Sequence, residues 1–216
     1  MQELNIIYIL KMKMSRFKPN IYQNIILIFI ILGTLGILNL FISNIVNEES
    51  NQGNRPLNIG GNFKLIDQKN NVYDSTNHEV YKLIYFGYTY CPDVCPFDIL
   101  KLSRIYKENP KLKNHVEPIF ITVDPERDSV EVMHNFLENF DENIIGLTGS
   151  SSEINEVMKK YKIFKRKSDI NNSDTDYLID HTSLFYFVGK DDLYINHFSS
   201  KDFVKTATEY FKKFSF

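Results

Sequence analysis

The sequence predicts an α/β fold behind a single N-terminal apolar helix, on three observations. β-Branched and aromatic runs, "KLIYFGY" at Lys82–Tyr88, "EPIFITVD" at Glu117–Asp124 and "LFYFVG" at Leu184–Gly189, read as buried strands. Segments of helical periodicity alternate with them, and a hairpin and a helix close the chain, which is the order of a layered sheet-and-helix domain. Ahead of all this, Ile25–Ile42 reads "IILIFIILGTLGILNLFI" without one charged residue.

At ~1.5 Å per residue that apolar run spans roughly 27 Å, close to the hydrocarbon thickness of a bilayer. Lys11, Lys13, Arg16 and Lys18 precede it, and Glu48 and Glu49 follow. The bias of positive charge predicts residues 1–24 in the cytoplasm, a transmembrane anchor over 25–46 and the body across the membrane. A cleaved signal peptide would have a shorter apolar core and small residues at its end. No alanine occurs there, so an uncleaved anchor is favoured, and a start at Met12 or Met14 would leave it intact. Residues 47–58, "NEESNQGNRPLN", are polar and aperiodic and read as a flexible linker to a domain over 59–216. The formal net charge is -2, and the residues from Asn47 on carry 21 basic and 26 acidic side chains. That balance gives nucleic acid no electrostatic footing and disfavours tight adhesion to anionic lipid.

Within the body, "GGNFKLIDQKNNVYD" predicts two short strands around a turn at Lys69–Asn71. After the Lys82–Tyr88 strand, Pro96 suits the first turn of a helix whose stripe is Phe97, Leu100, Leu102, Ile105 and Tyr106. Asp128 and Glu131 form a capping-box pattern for a helix reaching Phe140, "IIGLTG" is a short strand, and Ser150 with Glu153 caps a helix to Tyr161. Lys165–Asp176 is polar and turn-rich, hence a surface loop. "KDD" turns the Leu184–Gly189 strand into a hairpin with "LYINHF", and Lys201–Phe214 is an amphipathic helix. There are no repeats. Ala207 is the only alanine, while isoleucine, lysine and asparagine abound, so isolated Asn-rich patches carry no weight.

The chemistry lies in "FGYTYCPDVCPFDIL", Phe86–Leu100, which holds both cysteines, Cys91 and Cys95, each followed by proline. Two cysteines cannot build a disulfide scaffold. A strand running straight into a cysteine pair at a helix start is a thioredoxin-type layout, and a helix N-terminus stabilises a thiolate. Three residues separate the cysteines. Such a spacing permits a disulfide, and also allows both sulfurs to hold one soft metal ion such as Cu(I) or zinc. Two cysteines complete neither a tetrahedral zinc site nor an iron–sulfur site, so a third ligand decides. Among five histidines, His115 and His134 sit on a polar turn and a helix, His78 in a polar loop and His197 on an exposed hairpin strand. His181, in "DYLIDHTSLFYF", stands at the entry to a buried strand that can approach the cysteine-bearing helix, although a structural role is the commoner one for a lone histidine.

The motifs "YFGYTYCPDVCP", "FITVDPERDSVEV", "IIGLTG" and "DYLIDHTSLFYFVG", in that order from about Gly60 to Phe198, resemble the Sco/SenC family, the copper chaperones for assembly of cytochrome c oxidase. The resemblance implies a thioredoxin-like fold and a copper site, Cu(I) or Cu(II), made by Cys91, Cys95 and His181. It implies as partners an oxidase subunit with a copper centre, a copper donor and a thiol reductant. Asp124, in "VDPERD", falls on a family motif, either positioning a loop near the metal or capping a turn. Asp93, between the cysteines, shapes the loop through backbone hydrogen bonds rather than binding copper. "NHEVYK" replaces the family's Gly-Lys before the strand leading to the cysteines. "FDIL" after Pro96 lacks the acidic residue expected there, so a partner-facing surface is expected to differ. The rival readings are a thiol–disulfide oxidoreductase or peroxidase, which needs only the cysteines, and a copper-dependent or redox sensor, which shares the site. The expected location is a bacterial inner membrane with the domain in the periplasm. The mitochondrial inner membrane facing the intermembrane space comes second, because no Arg- and Ser-rich transit peptide is visible.

Overall fold

The computed structural model describes residues 21–53, 59–169 and 177–214. The chain divides into two units between Pro56 and Leu57. The first holds helix α1 (Ile21–Gly53). Its stretch Ile21–Ser43, of mean hydropathy 2.8, is long and apolar enough to cross a membrane. Thr34 and Ser43 turn their hydroxyls back onto the carbonyls of Ile31 and Leu40, each at 2.9 Å, which satisfies them without water. The helix continues through Asn47–Gly53, so the first part of the segment read as a linker is helical: nothing before Gly53 breaks a helix. Residues 54–58 and 1–20, with the basic cluster Lys11, Lys13, Arg16 and Lys18 and the alternative starts Met12 and Met14, lie outside the described residues.

The second unit is built on β1 (Lys64–Asp67), β2 (Val72–Asp74), β3 (Tyr81–Gly87), β4 (Val116–Thr122), β5 (Ile145–Thr148), β8 (Leu184–Val188) and β9 (Tyr194–Ser199), in the order β2-β1-β5-β4-β3-β8-β9. A separate two-stranded ladder joins β6 (Lys165–Asp169) to β7 (Tyr177–His181). The helices are α2 (Val94–Glu108), α3 (Val130–Leu137), α4 (Ser151–Lys160) and α5 (Phe203–Lys213). β3 lies centrally, parallel to β4 from Tyr81↔Val116 to Gly87↔Thr122 and antiparallel to β8. It is buried at consecutive positions, the mark of a strand covered on both faces, which explains its unbroken apolar run. A parallel neighbour needs a crossover, and α2 supplies it. The cysteines therefore stand at the carboxyl end of a central parallel strand, where α/β sheets place their ligand sites.

Four sequence readings need correction. α2 begins at Val94, so its inward stripe is Cys95, Asp98, Ile99, Leu102, Ile105 and Tyr106, while Phe97 and Leu100 face solvent at 60% and 50% exposure. The cap of α3 is Ser129, whose hydroxyl accepts from Val132 N; Asp128 is buried elsewhere, and the helix stops at Leu137. Ser150 and Glu153 do form the reciprocal capping box of α4. Lys165–Asp169 is a strand, not a loop. Its polar sequence pairs with β7 through charge, as in Arg166–Asp180 at 2.6 Å, rather than through an apolar face. The rest of that segment, 170–176, lies outside the described residues.

α5 seals one flank through Phe203, Ala207 and Phe211; Phe203 stacks on Phe185 with ring centroids 3.7 Å apart. The chain's sole alanine is fully buried there, where α5 meets α2. At the other end of β3, Lys82 and Asp192 form a buried ion pair at 2.8 Å that ties the strand to the β8–β9 turn. Gly87 closes β3 beneath the site. A Cβ added there would lie 2.9 Å from both Phe120 and Tyr85 ring carbons and 3.0 Å from Cys95 Sγ. Gly87→Ala is therefore expected to destabilise the fold by ~1–3 kcal/mol through overpacking, read as a lower urea midpoint at unchanged slope.

Candidate metal centre

Beyond Gly87 the chain leaves the sheet, and a threonine–aspartate knot fixes its path. Thr89 donates to the Asp128 carboxylate from its backbone N at 3.0 Å and its hydroxyl at 2.6 Å. Thr122, at the end of β4, donates to the same carboxylate at 2.6 Å, and Thr148 of β5 donates to the Asp128 carbonyl at 2.7 Å. Burial raises the Asp128 pKa, opposed by these hydroxyl and amide donors. With Thr89 pinned, Cys91 falls just before α2 and Cys95 in its first turn.

The two free thiols are unequal. Cys95 is fully buried and Cys91 half-buried. The Cys91 pKa is lowered to about 5, first by a hydrogen bond from Cys95 and then, against the opposing effect of burial, by the backbone N–H groups of Cys95, Asp93 and Val94. Those amides belong to the unpaired set at a helix start. Cys95 is pushed up because it donates to Cys91 and because it is buried. The two thiols are thus pushed in opposite directions: Cys91 toward the thiolate, Cys95 toward the protonated form.

His181 meets this pair from the end of β7, opposite Lys165. Its Nε2 lies 3.4 Å from Cys95 Sγ. Its Nδ1 lies 3.1 Å from the Thr182 carbonyl; a carbonyl oxygen only accepts, so Nδ1 carries the hydrogen and Nε2 presents a lone pair to the sulfur. Burial lowers the His181 pKa, keeping the ring neutral. Tyr85 and Tyr88 meet the ring edge-on at 6.2 and 6.0 Å between centroids, and the Tyr85 hydroxyl donates to Cys95 Sγ at 3.8 Å.

β7 is strapped down at three points before it reaches His181. Ile179 N donates to the Tyr88 hydroxyl at 3.1 Å. Tyr177 donates its hydroxyl to Asp124 Oδ1 at 2.8 Å, and Asp124 Oδ2 holds Arg127 Nε. Arg127 Nη1 in turn donates to the Tyr177 carbonyl at 3.0 Å, and the guanidinium lies 3.6 Å from the centre of the Tyr177 ring. Asp124 thus acts on the strand that delivers His181. The local hydrogen bonds expected of the Asp93 side chain are not found: it is exposed at the N-cap of α2 and makes no side-chain capping bond, and only its backbone N–H bears on Cys91. Among the described residues, no three histidine, cysteine or carboxylate side chains stand as a closed metal cage. The arrangement is two pairs that share Cys95. His78 is engaged by Glu117 at 2.8 Å, His134 by Glu138 at 3.2 Å and His197 by Tyr194 at 2.6 Å, away from the thiols.

Sequence reasoning missed Tyr85, Tyr88, Asp128 and Asp98. "FDIL" does contain an acidic residue, but Asp98 is turned inward and fully buried, so the outer face presents Phe97. The available signal was its helical spacing of three residues from Cys95.

Residues 51–215 match the model of the SCO1/SenC family. The chain belongs to the SCO1/SenC family. A SCO2-like protein of Rickettsia prowazekii is 39% identical over 157 residues, 72% of this chain and 77% of that protein. The copper-bound ScoI structure of Bradyrhizobium japonicum matches with a TM-score of 0.65 at 36% identity, over 73% of this chain and 99% of that one. BsSco, a member of the Sco family of cytochrome c oxidase assembly proteins in which a disulfide switch was identified, matches with a TM-score of 0.53 at 25% identity, over 74% of this chain and 98% of its own. The thioredoxin-like fold of the SCO1/SenC family is therefore the fold of this chain.

Because the Cys91 pKa is lowered on folding, its thiolate stabilises the fold above the ordinary thiol value of roughly 8.5. That contribution is lost as pH falls through about 5. Alkylation of the full chain by iodoacetamide is expected to modify Cys91 first, with a rate midpoint at about pH 5. Cys95→Ala removes the S–H donor and should move the midpoint upward toward ~8.5, as followed by mass spectrometry.

Proposed function

We propose that this chain is a membrane-anchored copper metallochaperone that binds one copper ion through Cys91, Cys95 and His181 and delivers it to the copper centre of cytochrome c oxidase during assembly. The observation that carries the reading is the 3.4 Å approach of a neutral imidazole nitrogen to Cys95, across 86 residues of chain. Copper is here the cargo. The donor set suits it: two sulfurs and one imidazole are soft and borderline ligands that accept Cu(I), and the imidazole also favours Cu(II). Cys91 is already the thiolate. Copper entering the site displaces the Cys95 proton, and His181 needs no deprotonation, since Nδ1–H is spent on Thr182. The more exposed Cys91 is the sulfur at which an incoming ligand can replace the protein, so copper moves by exchange without release.

Asp124 and Arg127 hold β7 so that His181 stays over the thiols, and Asp93 contributes only its backbone N–H, to the Cys91 sulfur. Membrane anchoring through Ile21–Ser43 and placement of the domain in the periplasm rest on the helix's hydropathy and on the basic residues that precede it in sequence. An intermembrane-space location is the equivalent in mitochondria. In either compartment the pair tends to oxidise, so a thiol reductant is a required partner beside a copper donor and the oxidase subunit.

A second reading is favoured by one observation, the inequality of the thiols. An accessible thiolate next to a buried thiol is the arrangement of a thiol–disulfide oxidoreductase, here acting on oxidase cysteines. A copper or redox sensor would use the same groups.

The two readings separate at His181. The full chain in detergent, reduced and loaded with Cu(I), is expected to hold about one copper per chain with two sulfur neighbours and one nitrogen in X-ray absorption. Cys91→Ser, Cys95→Ser and His181→Ala should each abolish that stoichiometry. Wild-type copper content in His181→Ala would remove the histidine, and rapid dithiol turnover unchanged by it would favour the enzyme. Asp124→Ala, which frees Tyr177 and Arg127, is expected to weaken copper affinity ~10–100-fold with the same ligands in place.

A further inference from the structure

Behind Cys95 lies a buried carboxylate that the proposed copper site leaves unused. Asp98 is fully buried and follows Cys95 on the inward face of α2. Its Oδ1 is saturated, with Lys101 Nζ at 2.7 Å and Ser200 Oγ at 2.5 Å. Lys101 also donates to the Ser200 carbonyl at 3.0 Å, so the three residues hold one another in place. Asp98 Oδ2, by contrast, is buried and has no hydrogen-bond partner among the described residues. An unpaired buried acceptor of this kind is costly and calls for an explanation.

The hydroxyl of Tyr85 provides one. A phenol keeps its proton at neutral pH, so the group is a donor, and Cys95 Sγ accepts from it. It has one proton to give, and the two charges that bear on it are those of Cys95 and Asp98. In the reduced protein the proton points to Cys95 Sγ at 3.8 Å, and Asp98 Oδ2 goes without.

We propose that Tyr85 and Asp98 are positioning residues that set the reduction potential of the Cys91–Cys95 pair, the tyrosine hydroxyl serving the Cys95 sulfur while the pair is reduced and the Asp98 oxygen once a disulfide has formed. The proposal rests on reading the two cysteines as a working pair, not on the metal. In the oxidation, the Cys91 thiolate and Cys95 thiol join in one S–S bond and pass two electrons to a small-molecule disulfide. That disulfide breaks into two thiols, taking one proton from Cys95 and one from water. A hydrogen bond from the hydroxyl to a carboxylate is charge-assisted and stronger than one to a disulfide sulfur, so it stabilises the oxidised state. The carboxylate also repels the anionic reduced pair. Both effects make the pair more reducing.

The test equilibrates the metal-free full chain in detergent with oxidised and reduced dithiothreitol near neutral pH and counts thiols by alkylation. Asp98→Asn keeps an oxygen for Lys101 and Ser200 and is expected to favour the reduced pair about tenfold, roughly 30 mV upward. Tyr85→Phe keeps the ring, and in that background the response to Asp98→Asn should fall to less than about half, the coupling a shared proton requires. If Asp98→Asn fails to fold, as judged by circular dichroism, Asp98→Ser retains an oxygen acceptor and is read in the same way. An unchanged potential, or an equal shift in both backgrounds, overturns the proposal. Failure of the wild-type chain to form any Cys91–Cys95 disulfide overturns instead the reading of the cysteines as a pair.

Discussion

The site depends on one approach: a buried sulfur and an imidazole lone pair 3.4 Å apart, brought together across 86 residues of chain. Neither partner could hold that distance alone. Cys95 is placed by the first turn of α2, and the absence of a side chain at Gly87 leaves room for its sulfur. His181 is placed by β7, which belongs to a two-stranded ladder outside the main sheet and so inherits none of that sheet's rigidity. The strapping by Tyr88, Asp124 and Arg127 substitutes for it. They act together with the ladder to β6 and with Tyr177 and Ile179, which are buried in the core.

The inequality of the thiols follows from the same geometry. Both cysteines stand at the start of α2, and both could draw on its unpaired amides. Cys91, ahead of the helix and half-exposed, receives them; Cys95, one turn in and fully buried, cannot be charged cheaply and becomes the donor. The pair is therefore a nucleophile and a proton store, not two copies of one group. This asymmetry is what a redox pair and a proposed exchangeable metal site have in common, and it is why the thiols alone do not choose between them. The imidazole does.

How much of this could be read in the sequence varied with the physics involved. β3, β4 and β8 were legible because burial on both faces leaves an unbroken apolar run. The Ser150–Glu153 box was legible because capping is local chemistry. β6 was not: "KRKSD" has neither apolar alternation nor β-branched residues, and its pairing is set by Asp180 and Tyr177 across the ladder. The phase of α2 was missed because the stripe was counted from Phe97, whereas the helix begins at Val94 and turns Phe97 outward. Cys91, Cys95 and His181 stood out by residue type and context. Asp98 and Asp128 did not, because an aspartate in sequence reads first as surface or cap, and only tertiary packing reveals that both are buried.

Sharing Cys95 between two pairs has a further consequence for how the site must behave. The sulfur that faces His181 is the same one that would close a disulfide with Cys91, and it cannot do both with full bonding. A site with separate redox and metal groups could be oxidised and still hold metal; this one could not. Under the proposed reading, oxidation state and metal occupancy are thus alternatives imposed by a single atom, and whatever stabilises the disulfide lowers metal capacity. Groups that contact Cys95 without binding metal, Tyr85 directly and Asp98 through it, then bear on both properties at once, which gives a buried carboxylate with one idle oxygen a reason to be where it is.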